Sequence, residues 1–499
     1  MFLLILLSAV VASFLLLLLG YLELHRHSLN RRFRHIPGPK QYPIIGNLTK
    51  PPSTDLTDFN FYVEQLSAAP VTKMIVPGHL ILGISDPSIL QQILNAPEFL
   101  GRVEYFLKFT PWKEAMLTAA CPEKWRALRK VIQPAFSHKN LVSIIPTFNK
   151  HLKCFTEMLE KYADTGVDFD FFELSDAIGM KQALETVLNV TEIDPNLMHD
   201  MFKKIVDNTC DRLVRIYEHP DVFYGFTAKS EECKKISEKL EEIFNEAIDR
   251  TLMDAKNANA TNVLYFLLKQ RRGEVNMGLT MEQVKDNALI MFGAGYETSA
   301  ITISHVILML AMHPEVDSRL YKELSENFKV GDTIDHHLLK KLPYLDMVFK
   351  ETLRLFPTVP IVLRQANKEK FIDGIGLIPK GTIVIPNLYQ LHRCPSIWGK
   401  APEKFNPDNF LPENINSRHS LSFIPFSSGP RNCIGMEHAQ LNIKLALVHI
   451  LSEFRFETDL KMNELDVRFS VFVRLNNKYA VRTYRRQQRN RDKRQCEKE

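Results

Sequence analysis

The first twenty-two residues, MFLLILLSAVVASFLLLLLGYL (Met1 to Leu22), carry no charged side chain. A run this apolar on all sides has no polar face to show to water. As a helix rising about 1.5 Å per residue it spans roughly 33 Å, enough to cross the hydrocarbon core of a bilayer. Arg26, Arg31, Arg32 and Arg34 follow at once, and basic residues on the C-terminal flank predict that this side faces the cytosol. A cleaved signal would begin with basic residues and end its shorter apolar run in a small-residue cut site, and a transit peptide would be amphipathic and arginine-rich. The run fits neither, so residues 1–22 are expected to be an uncleaved anchor. The sequons at Asn47, Asn189 and Asn259 are then expected to stay unmodified, because a cytosolic domain never meets the glycosylation machinery.

The next stretch, residues 23–50, is a basic flank followed by IPGPKQYPIIGN (Ile36 to Asn47). Three prolines and two glycines in these twelve residues exclude a helix and predict a stiff strap between anchor and globule. Beyond Pro51 no Pro/Gly/Ser linker divides the chain and no internal repeat is visible, so residues 51–481 are read as one domain. The segments FNKHLKCFTEMLEKYA and LTMEQVKDNALIMFGAGYETSAITISHVILMLAMH repeat apolar residues at helical spacing. Strand-like text is short: GTIVIPN near residue 381 and RFSVFVRLNNKYAVRT near the end, where Asn476-Asn477 between alternating runs predicts a hairpin turn. The expected fold class is mainly α with small β-sheets.

Charge excludes one class of function. The net charge is +5, and residues 482–499 hold eight basic and three acidic side chains, which is the whole excess. The body is balanced, unlike a nucleic-acid binder with its basic face, and the tail is expected to be disordered and solvated. Seven cysteines lie dispersed, none at the spacing of a zinc site, which argues against a disulfide framework and for a reducing compartment.

One of those cysteines sits in an unusual frame, FIPFSSGPRNCIG (Phe423 to Gly435). The helical pattern MEHAQLNIKLALVHILSEF follows directly, so Cys433 stands before a helix N-terminus, where free N–H groups favour a thiolate. Gly429 and Gly435 would let a flat, bulky ligand approach the backbone. Arg431 could pair with an acidic group at that ligand's rim, and Phe426 could shield the sulfur. Alone, the loop is also compatible with a structural turn around a buried thiol, although that reading explains neither glycine.

The stretch FSSGPRNCIG resembles the haem-binding loop of the cytochrome P-450 family, F-x-x-G-x-R-x-C-x-G, at every fixed position. The resemblance implies the P-450 fold and makes Cys433 the axial ligand of a haem iron, a thiolate that favours O–O cleavage. Other segments fit it. In MFGAGYETSA, Met291, Ala294, Gly295 and Thr298 share one helix face, and small residues there leave room for something flat. AGYET resembles the family's oxygen-activation motif, which implies that Thr298 and Glu297 organise protons. KETLR resembles the family's E-x-x-R, implying a structural pair Glu351–Arg354. The family's third partner, an arginine, is replaced by Asn409 in FNPDNF, which puts a three-residue network in doubt; Lys404 is a possible substitute. EKWRALRK resembles the W-x-x-x-R helix, implying that Trp125 and Arg129 meet a haem propionate, while Arg126 and Lys130 face outward where an acidic electron donor could dock. VPIVLR ends in Arg364, which resembles the second propionate contact. The resemblance runs from about residue 36 to 482, and 185–275 holds no motif that can be placed.

The order of segments resembles the family-4 branch and its relatives. Many of those proteins esterify a haem methyl through a glutamate whose place here is taken by Ala294, so haem b is expected to be held without that link. The resemblance implies a monooxygenase inserting one atom of O2 into a fatty acid, hormone, pheromone or foreign lipophile. With no G-x-G-x-x-G site in the chain, NADPH would be read by a separate reductase, with cytochrome b5 as a second possible donor. A haem-thiolate isomerase or dehydratase using peroxides, and a non-catalytic haem- or lipid-binding protein, are the alternatives. Expected pocket walls are Ala294 and Gly295, Val359, Val362 and Leu363, Val471 and Phe472, with parts of 100–120 and 200–230. The expected location is the endoplasmic reticulum membrane, catalytic domain on the cytosolic side, and a form lacking Met1 to His35 is expected to keep its haem.

Overall fold

In a computed structural model of the chain, residues 2–47, 64–215, 218–256, 262–271, 278–332, 334–469 and 471–486 are described. The sequon at Asn259 and most of the basic tail lie outside them. The mainly helical fold with small sheets is as expected. Helix α1 runs from Phe2 to Arg32 and, among the described residues, is the one helix long and apolar enough to cross a membrane. It does not stop at Leu22: the basic flank to Arg32 continues as helix. Its last turn is already part of the globule, because Leu29, Phe33 and Ile36 are buried among Ile75, Leu82 and Val384. Packing therefore begins well before residue 50.

The proline-rich strap is non-helical, as its composition requires. It folds back on α1: Glu23 accepts from the Ile44 N–H, and Arg26 donates to Gln41. Gly46 has φ +61°, and a Cβ there would lie 2.0 Å from the Ile75 carbonyl oxygen, so only glycine fits. The Asn47 amide is 2% exposed and bonded to Pro39, Lys40 and Ile75, which by itself makes it a poor glycosylation target.

The main sheet pairs β1 (Val71–Val76) with β2 (His79–Ile84) antiparallel, and β2 with the late strand Ile383–Pro386 in parallel. Helix α2 (Pro87–Asn95) lies against this sheet's core, its N-cap supplied by Asp86. The helical part is α3 (Pro122–Ile132), α4 (His138–Leu159), α5 (Phe171–Ala183), α6 (Pro195–Val214), α7 (Ala228–Lys256), α8 (Val263–Arg271), α9 (Met281–Met312), α10 (Pro314–Asn327), α11 (Pro343–Leu355) and α12 (Met436–Glu453). Helix α9 is the axle. A capping box between Thr280 and Gln283 starts it, and from Ser299 to Ala311 every residue is buried. The large C-terminal core forms around that half, with α4, α11 and α12. The region 185–275, silent in sequence, supplies α6, α7 and α8, whose apolar stripes cover the first half of α9.

The predicted hairpin around Asn476-Asn477 does not form. Val467–Phe469 pairs antiparallel with Val473–Leu475, so the reversal falls earlier. Ala480–Arg485 leaves that hairpin to pair with Phe454–Glu457 and with Phe169–Asp170. Asn476 instead closes the base of the earlier hairpin, its backbone N–H and side chain both bonding Asp466.

Candidate active site

The Cys433 loop is held by its own backbone. Gly429 has φ +73°, and a Cβ there would sit 2.2 Å from the Leu94 carbonyl oxygen at the end of α2. Any side chain would push the loop off the sheet layer. Asn432 N–H donates to Gly429, and Cys433 N–H donates to the carbonyl of Phe426. Gly435 is the N-cap of α12, and its N–H reaches the Cys433 sulfur. Burial pushes the thiol's pKa up, while that N–H and the nearby Arg129 pull it down. Cys433 lies deep in the fold and is still accessible, which marks a side chain on the wall of an internal space. The Phe426 ring packs half-buried on the main core.

Around the loop stands a group of arginines. Arg129 donates to the carbonyl and side-chain oxygens of Asn432 at 2.9 and 3.0 Å, so it braces the cysteine loop. Its partner at i−4, Trp125, is buried with the Arg431 guanidinium 4.7 Å from its ring centre. Arg126 and Lys130 are exposed on the outer side of α3. Arg431 donates to the Ala119 carbonyl, and Arg364 to that of Arg431. A third guanidinium, Arg102, joins these two; it was not singled out by sequence, where a lone arginine after Gly101 gives no signal. Burial and mutual repulsion push Arg431 down to about 9 and Arg364 well below the usual range, and burial lowers Arg102 to about 10. The Nε atoms of Arg102 and Arg431 are buried without a hydrogen-bond partner. Arg364 and Arg431 are buried and Arg102 is half-buried, and among the described residues none of the three has a carboxylate partner, a costly arrangement. They fit a ligand that brings acidic groups of its own.

On α9 the two motif glycines do different work. A Cβ on Gly293 would lie 3.0 Å from the Phe202 ring of α6, so Gly293 serves helix packing. A Cβ on Gly295 would meet nothing within 4 Å, and Ala294 beside it is exposed although it lies mid-way along the central helix. Of the residues expected to share that face, Ala294 is exposed and Met291, Gly295 and Thr298 are half-buried. Thr298 donates its hydroxyl to the Ala294 carbonyl at 2.8 Å. Its neighbour Glu297 is ion-paired with Arg474, which follows Val471 and Phe472 at the C-terminal hairpin.

Three of the expected pocket walls are tied together. Thr302, one turn beyond Thr298, shares a 2.8 Å hydroxyl contact with Thr358. The carbonyl of Thr358 accepts from Val473 N–H at 2.9 Å. Val359 and the turn carrying Val471 and Phe472 thus border α9. Val362 and Leu363 pack instead with apolar clusters near the main sheet.

Glu351 and Arg354 form a fully buried bidentate pair, with N–O distances of 2.7 and 2.8 Å. Arg354 also donates to the carbonyls of His392, Pro402 and Lys404, and Glu351 accepts from Asn406 N–H and the Asn409 side chain. Asn409 keeps a place in the network as a neutral donor, while Lys404 contributes only its backbone. Arg418, not anticipated, donates to the Asn409 carbonyl and stacks 4.4 Å from the ring centre of Trp398.

The family model for cytochrome P450 matches residues 36–482. The chain belongs to the cytochrome P450 family. It is thus a haem-thiolate monooxygenase, an oxidoreductase whose chemistry uses haem iron and O2. Curated relatives are similar along nearly their whole length. "Probable cytochrome P450 313a4" of Drosophila melanogaster is 28% identical over 456 residues, covering 86% of this chain and 89% of the relative. "Cytochrome P450 4V2" of Rattus norvegicus is 27% identical, covering 91% of each. "Cytochrome P450 3A16" of Mus musculus is 28% identical, covering 90% and 91%.

Proposed function

We propose that this P450 inserts one oxygen atom into a lipophilic substrate (a fatty acid, hormone, pheromone or xenobiotic), with electrons passed from NADPH by a separate reductase. The observation that carries the site assignment is the accessible Cys433 beside the buried Arg364 and Arg431 and the half-buried Arg102, none of them paired with an acid among the described residues. Cys433 would bind the haem iron, with Gly435 N–H and Arg129 stabilising its thiolate. Arg364, Arg431 and Arg102 would receive the two propionates, with Trp125 backing Arg431. Arg129, bound to Asn432, would support the loop more than the propionate. Gly295 and Ala294 would give the haem a flat wall on α9, and alanine at 294 leaves no carboxylate for an ester link, so haem b would be held non-covalently. When bound, the haem supplies the reduction and cleavage of O2. The chain positions substrate against Val359, Val471 and Phe472, excludes water, and holds protons at Thr298 and Glu297.

The apolar α1 supports a membrane anchor, and we place the catalytic domain on the cytosolic face of the endoplasmic reticulum, with Arg126 and Lys130 near the docking face for the reductase or cytochrome b5. The test has two arms. The reduced protein under CO should show the red-shifted Soret band of thiolate ligation, and reductase with NADPH should support oxygen consumption. Substrate class is then read by binding difference spectra over fatty acids, terpenoids and steroids. A CO complex with an ordinary haem band would remove the thiolate assignment. A thiolate band without NADPH consumption would favour a carrier or a peroxide-using isomerase.

A further inference from the structure

Glu297 lies within the central helix, and its side chain is 14% exposed. A carboxylate so placed either loses its charge or finds a cation. It has found Arg474, which is 177 positions later in the chain and belongs to the strand Val473–Leu475. Sequence periodicity gives no hint of this pairing.

Two hydrogen bonds fix the height of Arg474 along α9. Val473 N–H is tied to the carbonyl of Thr358, and the Thr358 hydroxyl is tied to Thr302 on α9. The guanidinium also lies 5.4 Å from the ring centre of Phe172 on α5. Burial disfavours its charge, and the field of Asp176 from α5 is the largest opposing effect. Asp176 in turn is 2.8 Å from His199 of α6. The cluster thus alternates acid and base, Glu297, Arg474, Asp176, His199. The Nε of Arg474 makes no hydrogen bond, so the guanidinium is held by its charge partners and by packing.

We propose that Arg474 is a positioning residue for the proton-donating acid. It holds the Glu297 carboxylate in one place on the wall that also carries Thr298, and it ties that acid to the hairpin bearing Val471 and Phe472. The inference rests on the monooxygenase reading above. Its consequence concerns where reduced oxygen goes. One NADPH and one proton convert O2 to hydrogen peroxide; a second NADPH and further proton delivery carry it to two waters. An acid that is out of place starves the second outcome.

The experiment uses full-length, haem-loaded protein in membranes with reductase and NADPH and no added substrate, which avoids any need to know the natural one. NADPH, O2 and peroxide are measured together, per CO-binding haem, for wild type, R474Q, R474K, E297Q and the double variant E297Q/R474Q. Expected for R474Q is a fall of about five-fold or more in the share of O2 reduced to water, within the range a positioned proton donor contributes. R474K should recover much of the loss. The double variant should be no worse than E297Q alone, because Arg474 acts through Glu297. A water share in R474Q equal to or above wild type overturns the proposal, as do fully additive losses. If R474Q loads no haem, R474M, which keeps an apolar stem against Phe172, is read by the same criteria. If wild type itself gives neither the red-shifted CO band nor NADPH-driven O2 uptake, it is the monooxygenase reading that fails.

Discussion

Cys433 and Thr298 are the two residues whose expected roles depend most directly on one atom each. For Cys433 that atom is sulfur, placed by the Gly435 N–H and the Arg129 charge against a burial that favours the neutral thiol. Cys433→Ser offers a neutral hydroxyl of similar size, which cannot supply thiolate electron density. The red-shifted band of the reduced CO complex should vanish, and its survival would remove Cys433 from the iron. For Thr298 the atom is its hydroxyl oxygen, which donates to the Ala294 carbonyl. Thr298→Ala should leave the CO band in place and lower product formed per NADPH by ten-fold or more, on the scale of about 10²–10⁴ for a positioned proton donor, with the missing electrons recovered as peroxide. Unchanged coupling would make Thr298 a packing residue. Both residues stand out in the sequence because they lie in short motifs of fixed spacing. Arg102 and Arg474 do not, because each acts alone and meets its partners only through the fold.

The helix α11 shows how an element can be read correctly and its wiring missed. The i, i+3 spacing of Glu351 and Arg354 gives the pair, but spacing cannot tell an exposed pair worth tenths of a kcal/mol from a buried one. Here both side chains have no exposure at all, and apart from the Asn409 side chain the rest of the network is backbone, three carbonyls and one N–H, that leaves no trace in composition. Burial raises the pKa of the Glu351 carboxyl, and the bidentate Arg354 opposes that shift. Glu351→Ala would strand the Arg354 cation without a charged partner, a loss of about 3–5 kcal/mol. Asn409→Ala removes one hydrogen bond to a charged group, about 1.5–3 kcal/mol. The midpoint at which heating destroys the reduced-CO band should therefore fall in the order wild type, Asn409→Ala, Glu351→Ala. Equal midpoints for wild type and Asn409→Ala would mean that Arg418, bound to the Asn409 backbone, carries that corner unaided. The misplaced hairpin has a similar cause. Asn-Asn is a local turn signal, but Ala480–Arg485 gains two long-range strand partners that a local reading cannot see.

At the scale of the molecule, the apolar N-terminal helix and the globule are one continuous object. Sequence divides them at Leu22, because hydropathy measures what a segment dislikes and not what it packs against. The apolar stretch of α1 is wholly unburied, and the same helix ends with Phe33 just beyond it, 1% exposed in the sheet-side core. Arg32 donates to the Leu377 carbonyl at 2.7 Å, and Lys73 donates to that of Phe33 at 2.6 Å. Where to cut the chain is thus a physical question. Removing Met1 to Leu22 takes none of the side chains that α1 buries in the sheet-side core, and should leave the midpoint of the haem-loaded domain near that of the full chain. Removing Met1 to His35 also takes Leu29 and Phe33, each worth about 1.5–3 kcal/mol when buried. It further strips an acceptor from Lys73, whose charge burial already disfavours. The shorter form should bind haem but lose its CO band at a clearly lower temperature than the form beginning after Leu22. Equal midpoints would show that the end of α1 is merely laid on the domain. A lower midpoint would mean that the end of α1 is built into the domain, so that a helix continuous past Leu22 would pass its tilt, in the membrane-anchored arrangement proposed above, to the whole catalytic domain.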